Sequence, residues 1–440
     1  MVRILFITFL ILGCSESSAE GIFDEAVRGS LSEDTASENT SYDMNGYIRG
    51  VLYGGKVPGK QTGESKSVYG ETSLKMTVKK GSSAKGFAEL RYRRGNEFNE
   101  SISECRLREA YIDMYIGDFD IRFGEQVVVW GRADGFNPTN TITPADMLIR
   151  SPDEDDRRES NFLIRSRYSV RPFRIETILI PAYSASVLPL RCVTLPHGVT
   201  LDGSDYPDSR ISNGGYAVKV DLELASFDGS LSYFNGFNPL PGINAELGDD
   251  GAKIIPTAYR THVYGTDFST VMRSFGLRGE LAYRNPWGNY RRQVCIPNPD
   301  VCCVLGGDTS IGDFNVILQY IGRAVIDFEA LSEPSDTGER MLSDLSLYNR
   351  MFFSQIEEVT HSMSFRPAWA LLHQTLDAEM LGMYNFTTGE VYLKPKLSYD
   401  VADDLSVTLG GEVFNGPGDT LYDLLESRMS ALFIEFKTTF

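Results

Sequence analysis

The stretch FDIRFGEQVVVWGRADGFNP (119–138) sets charge against grease. Asp120 and Arg122 fall on one side of an extended chain, with Gln126 and Trp130 further along it, while Phe119, Ile121 and Phe123 fall on the other. Glu109, Tyr111 and Asp113 have the same alternate spacing just upstream. Arg165 with Arg167, Arg174 with Glu176, and Arg278 with Glu280 repeat it downstream. Carboxylates and guanidiniums at this spacing have two chemical uses. In an enzyme they serve as acid, base or orienter around a nucleophile. On one face of a strand they make a hydrated wall that meets ions and polar solutes. The enzyme reading finds little support. There are four histidines: His197 lies in a Pro/Gly-rich loop, His262 begins a strand, and His361 and His373 lie in or near 354–376. His361 adjoins Ser362, but neighbouring strand residues face opposite sides. No Gly-x-Ser-x-Gly, Cys-x-x-Cys or His-rich spacing occurs, so no catalytic residue, cofactor or metal is expected.

The 440-residue chain has 60 acidic against 42 basic residues, a formal charge of −18. That argues against nucleic acid, which needs clustered Lys and Arg. Mean hydropathy is slightly negative. Aromatics reach 11%, a level that suits sheets and membrane interfaces. Arg3, an apolar run over 4–12 and Ser17-Ser18-Ala19 read as a signal peptide over 1–19. Ile11-Leu12-Gly13-Cys14 offers a second reading, a lipoprotein box with Cys14 lipidated. Either way the chain is expected to leave the cytoplasm. Residues 20–42 are polar and Ser/Glu-rich, a flexible segment too short for a plug domain. No later run is long and apolar enough for a membrane helix. In an oxidising compartment Cys295 can pair with Cys302 or Cys303 across a loop.

The elements that position the charged rows are strands. Leu74, Met76 and Val78 alternate with Lys75, Thr77 and Lys79; Val218, Val220 and Leu222 alternate with Lys219, Asp221 and Glu223; Leu393 and Leu397 alternate with Lys394, Lys396 and Ser398. About 14 to 18 such segments are separated by turn signals such as Lys80-Gly81-Ser82 and Asp403-Asp404. A soluble sandwich buries the apolar face; a membrane barrel turns it to lipid and the charged face to water. Segments this long and this heavily charged on one face favour the barrel, and lipid forces it to close. The last strand alternates Leu432, Ile434, Phe436 and Thr438 up to terminal Phe440. That ending is similar to the outer-membrane signature read by the barrel-assembly machinery. The expected fold is therefore all-β: an antiparallel up-and-down transmembrane β-barrel of about 16 strands (range 14–18) over 43–440, integral to a bacterial outer membrane and surrounded by membrane lipids.

Leu107-Arg108-Glu109-Ala110-Tyr111-Ile112-Asp113, then Ile121-Arg122-Phe123-Gly124-Glu125-Gln126, Trp130-Gly131 and Asn137-Pro138 resemble an outer-membrane porin-like family related to alginate-export porins, some members of which are encoded beside RND-type exporters. The resemblance implies a barrel and allows an inner-membrane exporter as partner. Glu125 stands where that family has Arg, so an anion role there does not carry over. Strict alternation also points Glu125 to lipid, which predicts a bulge or a position near the rim.

The loop 131–160 contains Arg150, Asp153, Asp155, Asp156, Arg157 and Arg158, in RSPDEDDRRES. Long loops in compact proteins are usually functional or disordered. This one is expected to fold inward and narrow a pore for a small-molecule solute, with a bland acidic rim loop as the alternative. Inward register gives a mixed, mildly basic wall and weak anion preference or none. Two other functions fit a barrel: passage of hydrophobic or lipid-like molecules, with Met351-Phe352-Phe353 read equally as an apolar patch on the route or as membrane belt, and adhesion through long loops at 185–215, 236–256, 286–312 and 323–350.

Overall fold

The computed structural model describes residues 40–440 apart from 57–62, 99, 191–198, 249–250, 332–333 and 335–336. The expected signal peptide and the expected polar segment up to 39 lie outside the described residues, as does Cys192. Contacts divide the chain at Thr40, and the second unit, Ser41–Phe440, carries the sheet.

Eighteen strands make that sheet. The first seven are β1 (Thr40–Lys56), β2 (Gly63–Lys80), β3 (Ala84–Glu97), β4 (Glu100–Ile116), β5 (Phe119–Gln126), β6 (Asn161–Val170) and β7 (Phe173–Ile180). A short β8 (Val199–Leu201) stands outside it. Then come β9 (Gly215–Glu223) and β10 (Phe227–Phe237); a hairpin of β11 (Gly242–Gly248) and β12 (Gly251–Thr257) that pairs with β8; and β13 (Arg260–Met272), β14 (Phe275–Trp287), β15 (Asp300–Ile311) and β16 (Phe314–Val325). The last five are β17 (Val359–Leu371), β18 (Leu376–Asn385), β19 (Val391–Ala402), β20 (Leu405–Asn415) and β21 (Ala431–Thr439). Helix α1 (Thr337–Phe353) lies between β16 and β17, and α2 (Leu421–Met429) between β20 and β21. Each barrel strand pairs with the next, and β1 pairs antiparallel with β21 from Tyr47↔Thr439 to Gly54↔Leu432. The sheet closes and leaves no edge.

The side chains are sorted inside out relative to a soluble protein. Leu432 is 73% exposed and Leu231 68%, on the outer face; Arg49 is 3% exposed and Glu412 0%, on the inner face. A closed ladder with a greasy exterior satisfies every wall backbone group and suits hydrocarbon outside. Short turns such as 81–83, 117–118 and 403–404 occupy the end that also holds the start of β1 and the end of β21. The long connections all emerge at the other end.

Eighteen strands stand at the top of the expected range rather than at its centre. The shortfall has a physical source. β15 lies within 300–311, inside a stretch expected to be loop. Its inner face carries Asp300, Cys302, Val304 and Gly306, so most of it lacks the charge that marks an inner face elsewhere. The other expected long loops are also structured: 236–256 contains the β11–β12 hairpin, and 323–350 contains the end of β16 and most of α1. Met351-Phe352-Phe353 end α1 and are buried under the loops, in contact with residues such as Leu190, Ile243 and Tyr259, rather than forming a lipid-facing belt.

Candidate functional site

The connection from β5 to β6, residues 127–160, runs inside the barrel. Two layers of the inner wall receive it. Near the long-loop end, Leu163, Ile178, Ala217, Phe234, Val263 and Ala282 point inward and bury Val128, Trp130 and Ile142 of the loop. One residue pair deeper, the wall of the same strands turns charged: Arg165, Arg167, Glu176, Lys219, Asp221, Asp267 and Glu280. Burying apolar loop side chains against an apolar wall layer contributes roughly 25 cal/mol per Å² removed from water.

Below the apolar layer the loop holds the charged wall. The Glu280 carboxylate accepts from the backbone N–H groups of Arg132 and Ala133 (2.6 Å each), from Asn137 Nδ2 (3.0 Å) and from the Thr139 hydroxyl (2.9 Å). The Arg132 guanidinium reaches Asp267 at 2.6 Å and Asp221 at 3.2 Å. Asp134 pairs with Arg366 of β17 at 3.0 Å, and its backbone exchanges two bonds with the Gln319 amide of β16. Trp130 donates to Glu176 at 2.7 Å. At the base of the loop the Val127 N–H donates to Glu109 at 2.8 Å. Gln126 is fully buried and donates to the Leu163 carbonyl.

The second half of the loop grips the opposite part of the wall. Asp156 lies 2.8 Å from Arg49 of β1 and 2.7 Å from Arg91 of β3, and accepts from Ser151. Arg157 reaches Glu412 of β20 at 3.3 Å, and Glu154 pairs with Lys394 of β19. Arg150 is fully buried: its carbonyl accepts from Tyr69 and Arg93, its guanidinium donates to the Arg428 carbonyl, and it lies over the rings of Phe98 and Tyr53. Burial pushes the Asp156 carboxyl up, but the charges of Arg49 and Arg91 and the bonds from Ser151 and Arg91 outweigh it and hold it well below the usual carboxylate range. Glu154 is also lowered: burial opposes, and Arg157 and Lys394 prevail.

Among the expected loop residues, Arg150, Asp156 and Arg157 are thus anchors. Asp153 is exposed and caps the 3₁₀ turn Glu154–Arg157, accepting from Asp155 N–H. Asp155 is exposed too and pairs only locally, with Arg158 at 2.6 Å. Asp153, Asp155 and Arg158 are the ionisable groups of this set that do not bind the wall through their side chains.

Among the expected wall residues, most of those on strands face inward in acid–base sets, whereas Trp130 is a correction: β5 ends at Gln126, so Trp130 belongs to the loop and is buried against the wall rather than lining it. Arg122 donates to both oxygens of Asp113 (2.6 and 3.0 Å) and stacks over Tyr111 at 3.8 Å. Arg165 and Arg167 share Glu176, Arg174 reaches Asp221 and Glu223, and Arg278 pairs with Asp308. Asp120 has the same parity as Arg122 but is exposed near the turn. Glu125 is next to last in β5, beside Gly124 with φ +131°, which matches a rim position. The bulge sits one strand earlier: Glu89↔Glu109 is followed by Leu90↔Leu107, leaving Arg108 unpaired. Consequently Arg106, Arg108 and Glu109 all reach the loop, at Glu159, the Asp155 carbonyl and Val127.

Several partners were not legible as site residues. Arg49, Glu71, Arg132, Asp134, Asp267, Asp300 and Arg366 sit in strands or loops where inward tyrosines, valines or serines break the charge alternation. The expected Cys295–Cys302 disulfide is corrected: both are free thiols. Cys295 packs in the loop cluster of Tyr259, Ile296 and Phe353, while Cys302 faces inward on β15, where the β16 residue opposite it is Arg323. His361 and Ser362 do face opposite ways, Ser362 buried and His361 bonded to the Tyr320 hydroxyl.

Solved structures share this architecture. The outer membrane protein OpdK of Pseudomonas aeruginosa matches with a TM-score of 0.55 at 10% identity, covering 91% of this chain and 98% of its own. OccK9 (OpdG) of the same organism gives 0.54 at 8% with the same coverage, and OccK3 (OpdO) gives 0.53 at 10%, covering 91% and 96%. The fold is the one these outer-membrane β-barrels share. No family model matches the chain, and the search of curated proteins found no match.

Proposed function

We propose that this chain is an integral outer-membrane channel through which small polar solutes pass in a water-filled, charged lumen narrowed by the loop 127–160. The observation that carries the reading is the loop's double attachment, to Glu280 and Arg366 on one part of the wall and to Arg49, Lys394 and Glu412 on another. A segment held across a barrel this way sets its bore. The pore-lining residues are the paired sets of Arg122, Arg165, Arg167, Arg174, Glu176 and Arg278. Asp153, Asp155 and Arg158 are the loop groups that meet the solute. Since nearly every basic group has an acidic partner, the lumen selects by size and local polarity more than by sign. The test is single-channel recording of the detergent-purified chain in planar bilayers, with candidate solutes added as blockers. Discrete conductance steps support the reading; a bilayer that stays silent despite incorporated, folded barrel overturns it.

A second reading, passage of hydrophobic or lipid-like molecules with an inner-membrane exporter as partner, draws support from the inward apolar group Tyr392, Phe414, Leu381 and Met383 beneath α2. That group is packed against Leu425 and Met429, which favours the polar route.

A further inference from the structure

The inner face of β2 and β3 breaks the charge pairing seen round the rest of the wall. Tyr69, Glu71 and Ser73 are buried on that face, and the alternation next puts Lys75, Thr77 and Lys79 on it, toward the short-turn end. The ladder sets Lys75 opposite Glu89, Thr77 opposite Phe87 and Lys79 opposite Lys85. Lys79 and Lys85 are therefore like charges placed directly across from each other, an arrangement that destabilises a sheet. The carboxylates on the neighbouring positions are already committed. Glu89 accepts from Arg91 at 2.6 Å and from Ser73 at 2.9 Å. Asp113, the β4 residue opposite Lys85, gives both its oxygens to Arg122. Asp43 of β1, the strand on the other side of β2, accepts from Asn45. Among the described residues none of the three lysines has an ion-pair partner.

We propose that Lys75, Lys79 and Lys85, with the Thr77 hydroxyl between them, form a binding site for a compact phosphate-class polyanion at the periplasmic mouth of the lumen. Short turns mark the periplasmic end of an outer-membrane barrel. Uncompensated charge of one sign on a channel wall concentrates solutes of the other sign beside it. An ammonium is a point charge with three rotatable donors, and it meets phosphate oxygens from any direction. The planar guanidinium forks nearby are taken up by wall carboxylates, Arg122 by Asp113 and Arg165 by Glu176. Three ammoniums around one hydroxyl match several negative charges held in a small volume, which a diphosphate group supplies and a lone carboxylate does not. The bound polyanion also relieves the repulsion between Lys79 and Lys85, so stability given up in the empty wall returns on binding. The inference rests on the channel reading and deepens it. It names a solute class and places its pause on the short-turn side of Arg91, where the loop is anchored through Asp156.

The test is calorimetric titration of the full-length, detergent-purified barrel with pyrophosphate in low salt, beside tricarballylate, a tricarboxylate of comparable charge. The proposal expects saturable binding of pyrophosphate and at least about tenfold weaker binding of tricarballylate. The double variant Lys79→Gln, Lys85→Gln should lose at least about tenfold in pyrophosphate affinity. It should melt no lower than the parent, because it removes a repulsive pair. Lys396→Gln, which alters a wall lysine paired with Glu379, should bind pyrophosphate as the parent does. Heat-modifiable gel mobility checks that each barrel is folded. Four results overturn the site: no saturable binding, equal binding of the tricarboxylate, a double variant that binds like the parent, or an equal loss in Lys396→Gln. A double variant that melts lower also overturns it, since the lysines then hold the wall rather than a ligand. Calorimetry is independent of conductance: a barrel that conducts but does not bind loses only this site, and one that binds but does not conduct loses only the channel.

Discussion

Asp156, on the loop that leaves β5, lies 2.8 Å from Arg49 of β1, 107 positions away in sequence, and the pair is nearly dry, with both side chains under 10% exposed. Breaking a buried pair by neutralising one member typically costs about 3–5 kcal/mol, because the other charge is left behind. Arg49 retains Glu71 at 2.7 Å and Glu435 at 3.4 Å, so the loss falls on loop docking rather than on the wall. Asp156→Asn should therefore give noisier and larger single-channel currents, with barrel melting nearly unchanged. Quiet currents identical to the parent's speak against an anchoring role.

Gly131 tests the other attachment. Its φ of +101° is strained for any side chain, and a Cβ there would lie 2.4 Å from Glu280 Oε1 and 2.5 Å from Asn137 Nδ2. Gly131→Ala should open the cradle around Glu280. Amide exchange at Arg132 and Ala133, whose N–H groups now bond that carboxylate, should accelerate by at least tenfold, roughly the effect of losing one such bond. Unchanged protection at these two amides contradicts the cradle.

Acid should leave the Asp156 segment of the loop in place over an unusual range. Asp156 and Glu154 have folded-state pKa values below their ordinary ones. The stabilisation they give the docked loop is complete above the unfolded carboxylate values, about 3.9 and 4.3. It fades only as pH falls below those toward the folded values. The part of the conductance set by this segment should stay flat from about pH 8 to about pH 5 and rise only in stronger acid. A rise centred near neutral pH would point to other groups.

Selectivity should be weak. Arg122, Arg165, Arg167, Arg174, Arg278 and Arg366 each sit within 3.4 Å of a wall carboxylate. Paired charges produce little net field at a distance in salt. Under a potassium chloride gradient the reversal potential should stay close to zero. Strong cation selectivity would show that the exposed Asp153 and Asp155 dominate.

Strand register was legible wherever charge marked the inner face, as in β5, β6, β9 and β19. It faded in β1 and β15, where Val51, Tyr53, Val304 and Gly306 point inward without charge. The inward fold of 131–160 was readable from its length and charge. Its anchors were not, because Arg49, Glu280 and Arg366 meet it only through closure of the barrel, which local periodicity does not encode. Inward apolar residues such as Leu163 and Ile178 look like lipid-facing ones until the seat for Trp130 is seen. The bulge at Arg108 shifts parity by one residue, and no pattern within a single strand announces that.

The most direct measurement is the single-channel conductance of the full-length barrel beside one lacking 139–157, in the same bilayer and salt. The account predicts a clear increase on deletion, since the segment that carries Arg150, Asp156 and Arg157 then no longer crosses the lumen. Equal conductance from two folded barrels would contradict it.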